Sequence, residues 1–166
     1  QRQMCIRDRV MRLHGYRWPL QPQYGTTGGA TCVSGAPNEV WSYTDQVCEI
    51  LSDYLRLRER MLPYITELME EAHEKGTPVM RPLFYDFPED KESWNVETEY
   101  MFGPKVLVKP ITDADARETD VYLPGGASWT NAWTGETFEG GQKVHVAAPI
   151  EQIPLFTRDG YKLPMK

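Results

Sequence analysis

The chain is poor in the residues that build metal and disulfide frameworks: of its 166 residues, three are cysteine and three are histidine. Cys5, Cys32 and Cys48 are an odd number, lack Cys-x-x-Cys spacing and have no histidine cluster beside them, which argues against both a disulfide framework and a zinc site. This usage favours a reducing compartment, the cytoplasm first, and no feature calls for a cofactor. Long apolar runs are also missing: the longest is a few residues, against the roughly 20 needed to span a bilayer, and no charged and then apolar leader opens the sequence. Basic residues are outnumbered, 18 to 24, giving a formal charge of −6 and a pI near 5.1. That balance excludes nucleic acid and an anionic membrane face as expected partners. The glycine-rich stretch Gly25–Gly29 has no Gly-Lys-Ser/Thr after it and no helix starting at once, so it does not read as a phosphate cradle.

What is present suits a folded chain. Apolar residues make up 40% of the sequence, and the aromatic set of five Trp, nine Tyr and five Phe fits a carbohydrate-active protein or any β-sandwich core. The length allows one ordinary domain, or a small domain with part of another. Residues 1–9, QRQMCIRDR, have neither helical nor strand period and stop where the apolar run Val10–Leu13 begins; they read as a non-native or disordered leader. Residues 15–43 carry too many glycines and prolines for regular elements and form a long, functional type of loop.

Thr44 is a predicted N-cap, with apolar residues from Val47 to Leu57 at helical spacing behind it. Pro63 lacks an N–H and should break the helix near Met61; a second helix then runs from about Pro63 to Lys75, with Gly76 as its C-cap. Asp45, Glu49 and Asp53 share a helix face and read as a solvated stripe, as do Glu67, Glu70, Glu71 and Glu74. Beyond Gly76 the period shifts toward two. Strands are expected at 79–84, 106–111, 120–123, 128–133, 143–146 and 153–156, with two-residue hairpin turns at Gly140-Gly141 and Thr134-Gly135. Meandering antiparallel strands follow. His73 and His145 have no matching partner residues in the sequence and are expected to sit on a helix and a strand without chemistry; Trp129 and Trp133 are expected to share one strand face, as core or a hairpin pair in preference to a carbohydrate-binding surface.

Six blocks then fall in order: Met11–Gly15 (MRLHG), Gly35–Tyr43 (GAPNEVWSY), Leu57–Ile65 (LRERMLPYI), Gly76–Leu83 (GTPVMRPL), Tyr100–Gly103 (YMFG) and Tyr122–Pro124 (YLP). Together they resemble glycoside hydrolase family 31 over about residues 10 to 165. The resemblance implies an α/β plus β fold: the terminal strand and helices of a (β/α)₈ barrel at 10–76, followed by an antiparallel β-sandwich at 77–166. It implies a fragment of a retaining α-glycosidase that removes terminal α-linked xylose or glucose from oligosaccharides, using two aspartates. A complete barrel needs roughly 250 residues, so both aspartates are expected on earlier strands, outside this chain. None of Asp86, Asp90, Asp113, Asp115 and Asp120 is expected to be a nucleophile, and the fragment alone should be inactive.

The resemblance places His14 at the C-terminal end of the last barrel strand, where it would hydrogen-bond sugar hydroxyls. Strand alternation puts Arg12 on the same side, as a second substrate-binding candidate. Trp18, Tyr24 and Trp41 could stack on sugar or pin the loop. The Arg-Leu-His-Gly form looks closer to α-xylosidases than to α-glucosidases. The partner expected is therefore an oligosaccharide substrate met through the parent enzyme, with a homo-oligomer also admissible. The competing reading is a non-catalytic β-sandwich module that binds carbohydrate or supports a neighbouring domain.

Overall fold

The computed structural model describes residues 40–42 and 44–165, with the backbone alone at 21–22, 31–32 and 42. The chain divides into two compact units, Gln1–Arg56 and Leu57–Lys166. The first holds β1 (Gln21–Pro22), paired antiparallel with β2 (Thr31–Cys32), a 3-10 turn at Val40–Ser42, and most of helix α1 (Asp45–Arg60). α1 starts as its sequence predicts: the Thr44 hydroxyl accepts the Val47 N–H at 3.3 Å, satisfying one of the orphan donors of the first turn. The barrel strand expected at 10–14 lies outside the described residues.

In the second unit, Pro63 restarts the chain as helix α2 (Leu62–Lys75) immediately after Met61. Gly76 closes α2 in the left-handed conformation at φ 70°, and its N–H donates to the Ala72 carbonyl. The strands that follow are β3 (Met80–Arg81), β4 (Tyr100–Phe102), β5 (Val106–Val108), β6 (Glu118–Leu123), β7 (Ser128–Asn131), β8 (Thr137–Glu139), β9 (Gln142–Ala147) and β10 (Leu155–Arg158). Between β3 and β4 lie a short helix α3 (Leu83–Asp86) and a 3-10 turn (Lys91–Trp94).

The expected strand at 79–84 is corrected by its own proline. Pro82 cannot donate to a ladder, and the chain turns at once into α3, where Phe87 N–H reaches the Leu83 carbonyl at 3.0 Å. β4 and β8, three residues each, are too short to show a period and were not expected as strands. The Gly140-Gly141 hairpin is also overturned. β8 pairs with β7 and β9 pairs with β6, so the two glycines carry the chain from one sheet to the other. A Cβ on Gly140 would stand 2.0 Å from the Pro124 carbonyl oxygen, and only glycine permits this close crossing. The hairpin around Thr134-Gly135 exists, but it closes at Asn131 N–H to Glu136 O (2.8 Å), leaving four loop residues rather than two. The Asn131 side chain fills that loop, accepting the N–H groups of Trp133 and Thr134.

Two sheets result, a six-stranded one in the order β3-β4-β5-β10-β7-β8 and a two-stranded one, β6-β9, both antiparallel. β10 enters between β5 and β7, so the large sheet is not a simple meander. Alternation along its strands assigns each side chain to a layer. Met101, Leu107, Trp129 and Phe156 point one way and pack with Val121, Leu123 and Val144 of the β6-β9 ribbon. Phe102, Val106, Val108 and Leu155 point the other way and pack with Tyr64 and Leu68 of α2. The large sheet is therefore covered by a ribbon on one face and by a helix on the other. Contact with α2 is close at the β4-β5 turn: Tyr64 donates its hydroxyl to the Phe102 carbonyl at 3.0 Å, and Gly103 holds φ +62° there, where a Cβ would run into Tyr64 and Leu68.

Candidate functional site

Of the substrate-binding residues expected from sequence, His14 and Arg12 lie outside the described residues, as do Trp18 and Tyr24. Trp41 is described and is 73% exposed on its 3-10 turn. The carboxylates Asp45, Glu49 and Asp53 are exposed along α1, with Asp53 accepting from Arg56 at 2.8 Å, which is the solvated stripe their spacing predicts. Among the described residues, no group of three or more His, Cys, Asp and Glu side chains is arranged to hold a metal ion.

Chemically distinctive carboxylates lie instead where the β6-β9 ribbon meets the segment after α3. Asp90 caps the 3-10 turn by accepting the Glu92 N–H at 3.1 Å. It also accepts the Tyr122 hydroxyl (2.7 Å) and the Gly125 N–H (2.8 Å). Burial works to raise its carboxyl pKa, but the hydrogen bonds from Gly125, Tyr122, Glu92 and Ser93 outweigh that and hold it below the ordinary value. Its Tyr122 partner is pushed up, first by burial and then by the bond to that anion.

Glu99 is buried more deeply. Its Oε1 accepts the Tyr122 N–H at 3.0 Å and faces Lys109 Nζ at 3.7 Å, whereas Oε2 has no hydrogen-bond partner. Burial raises its pKa, with Tyr122 and Lys109 opposing. Asp86 sits 2.9 Å from the buried Arg81 Nε, in ion-pair range but not aligned as a hydrogen bond. It too is raised by burial, against the pull of Arg81. These carboxylates are engaged in holding strands, loops and turns together. Asp113 and Asp115 are exposed before β6.

His145 corrects an expectation. It lies opposite Asp120 in the β6-β9 ladder, with Nδ1 2.7 Å from Asp120 Oδ1 and Nε2 3.4 Å from Glu118 Oε2. Both ring nitrogens face carboxylate oxygens, which favours the imidazolium, and the pKa is raised chiefly by Asp120 and then by Glu118. The sequence could not show this pairing because the two strands are separated by β7 and β8. The three groups are fully solvated on a flat ribbon, an ionic staple rather than a cleft.

The aromatic residues sort similarly. Trp129 is fully buried and donates its indole N–H to the Pro124 carbonyl at 2.9 Å. Trp133 lies beyond the end of β7 and packs in the helix-side cluster, its N–H on the Ile153 carbonyl. The two rings therefore serve opposite layers, because the strand ends at Asn131 before alternation can align them. Trp94, which sequence reasoning passed over, is exposed and stacked on Phe84.

Comparison with known proteins agrees with this architecture. The chain is 40% identical over 129 residues to an alpha-xylosidase of Saccharolobus solfataricus, covering 78% of the chain and 18% of that protein. It is 39% identical to alpha-glucosidase 2 of Bacillus thermoamyloliquefaciens, covering 74% of the chain and 15% of that protein. Among solved structures, a GH31 alpha-xylosidase from a soil metagenome, complexed with xylose, superposes with a TM-score of 0.79 at 43% identity, covering 90% of this chain and 22% of that one. The chain thus spans about a fifth or less of the curated relatives it matches. Residues 76–163, more than half of the chain, match the glycosyl hydrolase family 31 C-terminal domain, and the chain belongs to that family.

Proposed function

We propose that this chain is part of a retaining α-glycosidase that removes terminal α-linked xylose or glucose from oligosaccharides, and that the aspartates of the reaction lie in sequence outside it. The observation that carries this reading is the match of residues 76–163 to the family's C-terminal domain, joined to 40% identity with an alpha-xylosidase across most of the chain. The preference for xylose rests on that relative and on the Arg12-Leu13-His14-Gly15 form of the sequence.

In this reading, residues 10–76 complete the (β/α)₈ barrel, and His14 with Arg12 supplies hydrogen bonds to the bound sugar. Those bonds would strengthen as the ring flattens toward the oxocarbenium-like transition state. The β domain has a supporting role. Asp86, Asp90 and Glu99 face partners inside the domain, and α2 is clamped onto the large sheet by Tyr64 and Leu68, so the sheet fixes the position of a helix that the barrel would share.

The test is hydrolysis of aryl α-xyloside and aryl α-glucoside by a longer protein carrying this chain with the sequence that precedes it, beside the 166-residue chain alone. Activity with retention in the longer protein and none in the chain is expected. Hydrolysis by the 166 residues alone would overturn the assignment of the aspartates, and an inactive longer protein would favour a purely supporting or carbohydrate-binding role.

A further inference from the structure

Trp94 ends the 3-10 turn that follows α3, and two contacts hold its ring. Phe84 of α3 stacks on it with centroids 4.6 Å apart and planes 12° from parallel. Its indole N–H donates to the Pro88 carbonyl at 3.0 Å. The turn that carries it is capped by Asp90 and closed by Asn95 N–H on the Glu92 carbonyl at 2.9 Å. The residue is nonetheless 57% exposed. With one face covered by Phe84 and the N–H edge occupied, the opposite face is the one a ligand would meet. A large planar apolar surface is thus presented to solvent in a preset orientation, so little side-chain freedom remains to be lost on binding.

The surroundings select the occupant. The platform is one indole wide, whereas a stable protein interface needs about 800 Å² per partner and a core depleted of charge. Here the neighbours in the chain, Glu89, Lys91 and Asn95, are all exposed and all carry hydrogen-bonding groups. Charges of both signs flank Trp94 in the chain, Glu89 and Glu92 against Lys91, and Glu92 also faces Lys143 at 3.2 Å, so neither anion nor cation is singled out. A small neutral molecule with one apolar face and a polar rim meets these conditions, and a pyranose ring is such a molecule: its C–H face packs on an aromatic plane while its hydroxyls reach the rim.

We propose that Trp94, backed by Phe84, is a stacking site for a neutral sugar ring of an oligosaccharide. The idea rests on the proposed carbohydrate-acting role of the parent protein, but binding requires no catalysis, so it fails or stands separately from the hydrolysis test. The experiment titrates the 166-residue chain with isomaltotriose and with an α-xylosyl-(1→6)-glucose disaccharide, following the five indole N–H resonances by NMR. Saturable displacement of the Trp94 signal is expected, with Trp94→Ala weakening binding by roughly tenfold and Trp94→Phe falling between. Thermal unfolding of each variant checks that the fold is kept. No displacement by either sugar, or equal affinity in Trp94→Ala, would overturn the proposal. So would concentration-dependent dimerisation that Trp94→Ala abolishes, which would assign the platform to a second copy of the chain.

Discussion

The two layers covering the six-stranded sheet use different chemistry. The helix α2 comes from sequence close to the sheet's first strand and covers it with Tyr64 and Leu68, anchored by one phenol hydrogen bond. The β6-β9 ribbon is assembled from segments separated by two other strands, and it combines a fully apolar underside with carboxylates at its margins: Asp90 and Glu99 at its buried end, Glu118 and Asp120 at its exposed end. A helix satisfies its own backbone, so its layer needs only apolar contact. A two-stranded ribbon has two unpaired edges and needs side chains to tie it to its surroundings. The buried carboxylates supply those ties.

The largest expected effect breaks the ribbon side. Trp129→Ala should destabilise the chain by about 3–5 kcal/mol, since it empties the centre of that core and leaves the Pro124 carbonyl without its donor. Leu68→Ala, on the helix side, should fall toward the lower end of about 2–5 kcal/mol, because a helix can shift to close the gap. Urea unfolding measures both, and a cost for Leu68→Ala equal to or above that of Trp129→Ala would remove the proposed asymmetry.

Asp90→Asn sharpens the point about margins. The amide keeps the shape but loses the charge and one acceptor, leaving the Tyr122 hydroxyl and Gly125 N–H short of partners, at about 1–3 kcal/mol. The same group sets an acid limit. Its folded pKa lies below the ordinary carboxylate value of 3.8, so its contribution is complete above that value and is lost as pH falls through the folded pKa. Stability measured from pH 5 downward should therefore fall less steeply in Asp90→Asn than in the parent chain, as an order-of-magnitude expectation from that linkage.

The smallest effect is at the exposed end. The His145 pKa is raised above 6.5, so the staple to Asp120 and Glu118 is complete below that value and is lost as pH rises through the folded pKa. Because the three groups are solvated, the change should be slight, suppressed by salt and absent in His145→Gln. Amide exchange of Val144 and Val146 across that pH range would detect it, and identical profiles in both chains would sink the staple.

Where the sequence was readable, the governing interactions were local. Thr44 starts α1, Pro63 divides the two helices and Gly76 ends α2, each acting within one helical turn of itself. The strand pattern was legible where apolar runs were clear, as in β5, β6 and β9, and failed at β4 and β8 and at Pro82, where one turn signal outweighs an apolar run. The site was less legible. His14 and Arg12 came from resemblance and lie outside the described residues, and the Asp90, Glu99 and His145 contacts have no local signal.

The sequence by itself determined helices α1 and α2, the change to β structure after Gly76 and, through six ordered blocks, the family. Only the tertiary structure decided which strands pair, that Gly140-Gly141 joins two sheets rather than turning a hairpin, and that His145 meets Asp120 across 25 residues of chain. The physical reason is reach. Caps and breakers act through backbone groups a few residues away, whereas register and layer are settled by which apolar faces exclude water together, a choice made between segments distant in the chain.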